Sequence, residues 1–227
     1  ASICHVSTPE AAVLIQEARA QGADIHGETC PQYLLFNEDT AERAGVFARM
    51  KPPLRDAGRM ARLRELYREG ALEITGSDHA PYLREEKLRN GQDIWRTFDG
   101  VPGLELSLPL LVTAAERGEL TYESIARNTA ENTARLFGLP QKGRIEEGRD
   151  ADLVLVERLQ LPRPLDIGAL FTKSRDSAEL YRDPAPALPR GRRLRAGPAC
   201  VCGRGHHWRA RLGEICQPCL IKNHIIF

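Results

Sequence analysis

The sequence contains no apolar run approaching the ~20 residues that a membrane-spanning helix needs, and its first residues show no signal-peptide pattern. It also has little net charge, because 32 basic and 31 acidic side chains leave a formal net charge of +1. So balanced a charge gives no reason to expect nucleic acid or an anionic membrane as a partner. These absences favour a cytoplasmic protein that binds neither nucleic acid nor membrane.

The composition is that of a globular domain of ordinary size, with 227 residues, of which 42% are hydrophobic and 28% charged. The sequence has no initial Met, and Ala1 stands directly inside a strand pattern. We therefore expect it to be a piece of a longer protein.

Strand and helix signals alternate from residue 1 to about 157, which predicts an α/β fold with a parallel sheet and covering helices. Strands are expected near residues 2–6, 23–28 and 72–77. Between them, Ser7-Thr8-Pro9-Glu10 and Asn37 have the residue types that begin helices, and Gly70 is a helix stop.

The second half of the pattern is less regular. The loop at residues 80–103 is long for a compact domain, and loops of that length are more often functional lids than connectors. Three helical segments are expected at about 103–117, 121–128 and 130–137. Gly143, Gly148 and the segment 150–156 then read as turns and a buried strand of a separate, all-β element.

Two polar residues stand where predicted strands end. His5 follows Ser2-Ile3-Cys4, and Asp78 follows Ile74-Thr75-Gly76-Ser77. The catalytic groups of a (β/α)₈ barrel lie at the carboxyl ends of its strands, and imidazole and carboxylate suit a divalent ion such as zinc or manganese. Taken alone, His5 reads as a hydrogen-bonded core residue and Asp78 as a turn or cap residue. Two ligands are too few to close a metal site.

Five motifs in a fixed order resemble the cyclic amidohydrolases, that is, the hydantoinases and dihydropyrimidinases, allantoinases and dihydroorotases. They are His5-Val6-Ser7-Thr8, Glu28-Thr29-Cys30-Pro31-Gln32-Tyr33-Leu34, Pro52-Pro53-Leu54-Arg55, Ser77-Asp78-His79-Ala80-Pro81 and Gly148-Arg149-Asp150-Ala151-Asp152-Leu153. The resemblance covers residues 1 to about 181. It implies a metal-dependent TIM-like barrel with a small β-sandwich. On this basis residues 1–142 are the C-terminal half of the barrel, 143–181 a β-sandwich segment and 182–227 an irregular basic tail.

The resemblance also implies a site. Two divalent metal ions, expected to be zinc, activate a bridging hydroxide that attacks the ring carbonyl of a small cyclic amide. His5 is then a ligand of one ion, while Asp78 is a ligand of the other and the group that carries the proton. The remaining ligands belong upstream of Ala1, so this chain alone is expected to be inactive. The full-length parent is expected to be a homo-oligomer.

The resemblance favours a hydantoin or dihydropyrimidine ring as substrate, with Lys51, Tyr82, Asp99 and Gly100 as candidate substrate contacts. Dihydroorotases usually carry asparagine at the position of Lys51 and histidine at that of Tyr82, which counts against that activity. Hydantoinases usually carry serine where Lys51 stands, so the match to them is imperfect as well. Allantoinase and dihydroorotase stay as alternatives, and so does a non-catalytic fragment.

The tail loses the family pattern after about Tyr181. It becomes rich in proline and arginine at residues 184–193, which favours a flexible segment. Two cysteine pairs follow, Cys200 with Cys202 and Cys216 with Cys219, and these could hold a structural zinc in a small binding module. A reading-frame shift after about residue 181 explains the change more simply.

Overall fold

Three short parallel strands form the sheet that carries the two candidate ligands. In this computed structural model, which describes residues 1–150, 152–157, 165–182 and the backbone of 224–226, the strands are β1 (Ser2–Ile3), β2 (His26–Thr29) and β3 (Ile74–Thr75). Their order is β1-β2-β3, with Ile3 opposite Gly27 and Glu28 opposite Ile74. The predicted parallel sheet is confirmed, with β2 in the middle.

Helices connect the strands as the cap residues predict. The helix α1 (Pro9–Ala20) begins after Thr8, whose side chain accepts from the backbone N–H of Ala11. Asn37 caps α3 (Glu38–Ala44) in the same way through the N–H of Thr40. These side chains satisfy N–H groups that the first turn of a helix leaves without a partner.

Two further helices complete the connection to β3. They are α2 (Pro31–Leu35) and α4 (Ala57–Glu69), and a 3₁₀ turn (Gly45–Ala48) follows α3. Gly70 ends α4 in the left-handed conformation, as expected of a glycine stop. Leu63 and Tyr67 of α4 are completely buried, so this helix covers the core with its predicted stripe.

The long loop after β3 contains the short helix α5 (Arg84–Lys87) and ends in a 3₁₀ turn (Leu104–Leu106) that leads into α6 (Ser107–Glu116). Next come α7 (Tyr122–Ala126) and α8 (Asn132–Leu136). The sequence predicts the last two as separate helices, but a π-helical stretch (Arg127–Glu131) joins them without a break.

The part after α8 contains β4 (Leu155–Glu157), which pairs antiparallel with β5 (His224–Ile226). Residues 224–226 thus form a strand within the segment that the sequence predicts to be an irregular tail. Residues 165–182 form three 3₁₀ turns (Ile167–Ala169, Arg175–Ser177 and Glu179–Tyr181). The four tail cysteines lie outside the described residues.

One hydrophobic core packs α1, α2, α4 and α6 around residues that flank the strands, such as Val6, Cys30 and Leu72, and continues to Leu180 and Tyr181. Among the described residues, no helix is both long and apolar enough to cross a membrane.

Candidate active site

His5 and Asp78 share an unusual backbone conformation at the ends of β1 and β3. Each has φ of 43°, and they are the two non-glycine residues of the described part of the chain with positive φ. Residues other than glycine rarely adopt this left-handed backbone conformation. Backbone strain of this kind costs about 1–3 kcal/mol and persists mostly at functional sites. Both residues follow parallel strands of one sheet, so they lie at its carboxyl edge.

Backbone and side-chain hydrogen bonds from β2 hold the turn after β1. The N–H of Val6 donates to the carbonyl of Glu28 at 2.7 Å, and the buried Thr29 hydroxyl donates to the carbonyl of Val6 at 2.7 Å. Arg55 donates to the Ser7 hydroxyl at 3.3 Å through two of its nitrogens. The chain on the C-terminal side of His5 is therefore fixed by three contacts.

The turn around Asp78 is held from two sides. Gln32, which is completely buried, donates through Nε2 to the carbonyl of Ser77 at 3.1 Å and to the Tyr181 hydroxyl at 3.2 Å. On the other side, Nδ1 of His79 accepts the N–H groups of Gly103 at 3.0 Å and Leu104 at 3.1 Å. His79 thus ties the loop at residues 80–103, called the lid, to the end of β3, in keeping with a structural role.

Gly103 must be a glycine at this contact. A Cβ there would lie 2.5 Å from the carbonyl oxygen of Ser77 and 2.6 Å from Nε2 of Gln32. The lid can approach the Asp78 turn this closely because position 103 has no side chain.

Glu28 is the charged residue of this region to which the sequence assigns no role. It is half-buried on β2, between the strands that end at His5 and Asp78. The pKa of its carboxyl is raised, mainly by burial. The backbone N–H and the ring of His5 act to lower this pKa, and the charge of Asp78 acts to raise it. The feature of the sequence that could have singled out Glu28 is its position near the end of a predicted strand.

Three of the candidate substrate contacts meet at the base of the lid. Asp99 pairs with Nζ of Lys51 at 2.7 Å and with Nε of Arg49 at 2.5 Å, and the N–H of Gly100 donates to the carbonyl of Arg49 at 2.9 Å. Burial acts to raise the pKa of Asp99, but the bonds from Lys51 and Arg49 outweigh it and hold that pKa below its usual value. The carboxylate therefore already has two cationic partners.

Tyr82, the fourth candidate, stacks on Phe98 of the same lid with ring centroids 4.8 Å apart. Beneath them lies Lys87, only 1% exposed, whose Nζ donates to the carbonyls of Phe98 at 2.8 Å and Arg49 at 3.1 Å. A third carbonyl, that of Val46, lies at 3.4 Å. Burial lowers the pKa of Lys87 to about 8. The lid is thus joined to the 46–49 segment by a buried amine that the sequence pattern does not single out.

A cavity of about 850 Å³ opens beside β3, against α6 and the π-helical stretch. Thr75, Gly76 and Ser77 line one side, and Arg144, Glu146 and Asp152 are among the residues on the other. His5 and Asp78 are not among its lining residues, but Ser77, the residue before Asp78, is, so the cavity borders the end of β3.

The five motifs and this strand-end geometry agree with the comparison to protein families. Residues 2–182 match the model of the amidohydrolase family. The chain belongs to the amidohydrolase family.

The similar members of this family carry three different names. A dihydroorotase from Halobacterium salinarum is 46% identical over 155 residues, which is 68% of this chain and 35% of that protein. An L-hydantoinase from Paenarthrobacter aurescens is 39% identical over 157 residues, 68% of this chain and 34% of that protein. An allantoinase from Rubrobacter xylanophilus is 40% identical over 156 residues, again 68% and 34%.

Among solved structures, the L-hydantoinase (dihydropyrimidinase) from Arthrobacter aurescens superposes with a TM-score of 0.68 at 37% identity, covering 73% of this chain and 38% of that one. This chain spans about a third of the length of the curated amidohydrolases that it matches.

Amidohydrolases generally bind divalent metals, and the donor groups of this chain can be compared with those that such an ion prefers. His5 offers an imidazole and Asp78 a carboxylate, both of which suit zinc or manganese. Within the described ranges, no group of three or more His, Cys, Asp or Glu side chains is arranged to hold a metal ion. The donor types of His5 and Asp78 fit a divalent ion, but in the described part of the chain they belong to no group of three or more such donors.

Proposed function

We propose that the protein containing this chain hydrolyses a cyclic amide, with a hydantoin or dihydropyrimidine ring as the substrate. Residues 1–142 would be the C-terminal half of its (β/α)₈ barrel and 143–181 part of a small β-sandwich. The observation that carries the proposal is the pair His5 and Asp78, which share φ of 43° at the carboxyl edge of one parallel sheet. Barrel enzymes place their chemistry at that edge.

His5 and Asp78 would each hold one of two divalent ions, expected to be zinc. When bound, such ions lower the pKa of water toward ~7 and polarise a carbonyl, which a cyclic amide needs because it is a poor electrophile. The further ligands would come from parts of the protein outside this chain. The assembled enzyme is proposed to be a homo-oligomer.

The work of this chain's own residues centres on Asp78. Its carboxylate accepts the proton that the attacking water loses as the new C–O bond forms at the ring carbonyl. It then returns that proton to the ring nitrogen as the C–N bond breaks, so that the ring opens to an acid and a neutral nitrogen group. Hydrogen bonds to its chain neighbours Ser77 and His79 hold Asp78 in position during both proton transfers.

The lid supports a neutral, partly apolar substrate. Tyr82 and Phe98 present a stacked aromatic pair, and Asp99 is already neutralised by Lys51 and Arg49. A substituted hydantoin or dihydropyrimidine could therefore contact the aromatic pair and the backbone near Gly100.

Dihydroorotate is the second candidate, and the charges at the lid favour it. Two cations, Arg49 and Lys51, share the single carboxylate of Asp99, and the Lys51 side chain is 70% exposed. A substrate carboxylate could take Lys51 as its partner. The high identity to a dihydroorotase also favours this substrate.

A chimera tests the proposal directly. Residues 2–182 of this chain replace the matching part of the L-hydantoinase from P. aurescens, and the purified chimera is supplied with zinc. Hydantoin, dihydrouracil, allantoin and dihydroorotate are then offered as substrates. We expect ring opening that is lost in the His5→Ala variant. A folded, zinc-loaded chimera that opens none of the four rings would refute the proposed function.

A further inference from the structure

Glu28 and Gly76 form a matched pair on neighbouring strands. A Cβ at position 76 would lie 2.5 Å from Oε1 and 2.7 Å from Cδ of Glu28, closer than real Cβ atoms approach other atoms. Gly76 is not among the residues with positive φ, so its backbone would accept alanine. An alanine at position 76 would therefore displace the Glu28 carboxylate, which is the group that takes this space.

The same carboxylate reaches the turn that carries His5. The backbone N–H of His5 lies near enough to this carboxylate to lower its pKa. The N–H of the next residue, Val6, donates to the backbone carbonyl of Glu28 at 2.7 Å. The two amides that follow Cys4 thus both lie beside Glu28, one near its side chain and one bonded to its main chain.

These contacts explain how a strained residue stays in place. A histidine at φ of 43° returns to ordinary backbone angles unless its neighbours prevent it. The carbonyl of Glu28 holds the Val6 amide in one orientation. A bond from its half-buried carboxylate to the His5 amide would do the same there, and a charged acceptor makes roughly twice as strong a hydrogen bond as a neutral one.

We propose that Glu28 is a positioning residue for His5, with its carboxylate lodged in the space that Gly76 leaves and bonded to the His5 amide, so that His5 keeps its left-handed turn at the carboxyl edge of the sheet. The inference rests on the proposed function only for the task it gives to His5.

The test follows the backbone amide of His5 in the 227-residue protein without metal or substrate. Labelling with ¹⁵N-histidine gives six backbone amide signals, one for each histidine, and the His5→Asn variant identifies that of His5. We expect this signal to shift upfield in Glu28→Ala, because the amide loses a charged acceptor. Glu28→Gln keeps an acceptor oxygen and should restore most of the original shift. Glu17→Ala, an exposed glutamate on α1, is the control.

The Gly76→Ala variant sharpens the test. Its added Cβ should push the carboxylate away and shift the His5 signal as Glu28→Ala does. In the double variant Glu28→Ala/Gly76→Ala, the Cβ added at position 76 has no carboxylate to displace. The His5 amide signal should therefore have the same chemical shift as in Glu28→Ala alone.

An unmoved His5 signal in Glu28→Ala would overturn the proposal, and so would effects of the two substitutions that simply add. Neither outcome depends on catalysis. A chimera that lacks activity while the coupling is present therefore counts against the proposed function alone.

Discussion

The edge of the sheet and the lid are built in different ways. At the sheet edge, buried groups on β2 and α2 bond to the main chain next to His5 and Asp78, as with Thr29 at 2.7 Å and Gln32 at 3.1 Å. In the lid, Trp95 is 83% exposed, and beside the lid the side chain of Lys51, which is 70% exposed, makes an ion pair with Asp99. His5 and Asp78 thus stand on a frame of buried hydrogen bonds, while Lys51, proposed to contact the substrate, stands on a surface that can change at little cost to folding.

The largest effect that separates the two regions should come from Asp78→Asn in the chimera. The amide keeps one oxygen for a metal but cannot accept the proton of the attacking water, so kcat should fall by ~10²–10⁴-fold with little change in stability. Steady-state kinetics with saturating zinc measure this, and Asp39→Asn, on the exposed face of α3, is the control. Unchanged kcat would remove Asp78 from the mechanism.

Lys87 should give the stability of the lid a pH dependence between pH 8 and pH 10.5. Its pKa of about 8 in the folded protein lies below the ordinary value of 10.5, so the unfolded state binds more protons between these values. The free energy of unfolding should therefore rise from pH 8 to pH 10.5, by up to about 3 kcal/mol from this residue. Burial is the main cause, while Asp99 acts to raise this pKa and Arg49 to lower it.

Urea unfolding of the wild type and of Lys87→Met over this pH range isolates the contribution, because other titrating groups are common to both proteins. The difference between the two curves should grow in favour of the wild type as pH rises. Parallel curves would mean that the Lys87 amine is solvated in the folded protein.

Gln32→Leu should destabilise the protein by about 1–3 kcal/mol, because it leaves the carbonyl of Ser77 and the buried hydroxyl of Tyr181 without this donor. Tyr181→Phe removes only the hydroxyl and should cost about 1 kcal/mol. Urea unfolding at pH 7 measures both variants. Equal losses would show that the bond to Ser77 contributes nothing to the rigidity of the sheet edge.

The smallest effect on stability is expected at the lid. Lys51→Ala removes an ion pair whose lysine is 70% exposed, so the free energy of unfolding should change by less than about 1 kcal/mol. In the chimera, KM should rise for dihydroorotate but not for hydantoin if Lys51 binds a substrate carboxylate. Equal KM changes for both substrates would exclude that role.

Local chemistry in the sequence was enough for the three parallel strands and for several helix ends. Thr8, Asn37 and Gly70 determine where α1, α3 and α4 begin or end, because cap residues act through bonds within a few positions of themselves. The alternation of strand and helix signals implied the parallel sheet, and the apolar runs that end at His5 and Asp78 placed both residues at its carboxyl edge.

Contacts between distant segments decided the rest. The fit of Glu28 beside Gly76 joins positions 48 residues apart in the chain, and the burial of Lys87 depends on carbonyls of both the 46–49 segment and the lid. The matching φ values of His5 and Asp78 are likewise imposed by bonds from β2, α2 and the lid. A sequence pattern shows which groups a chain has, but the space and the partners available to each group exist only once the segments have packed together.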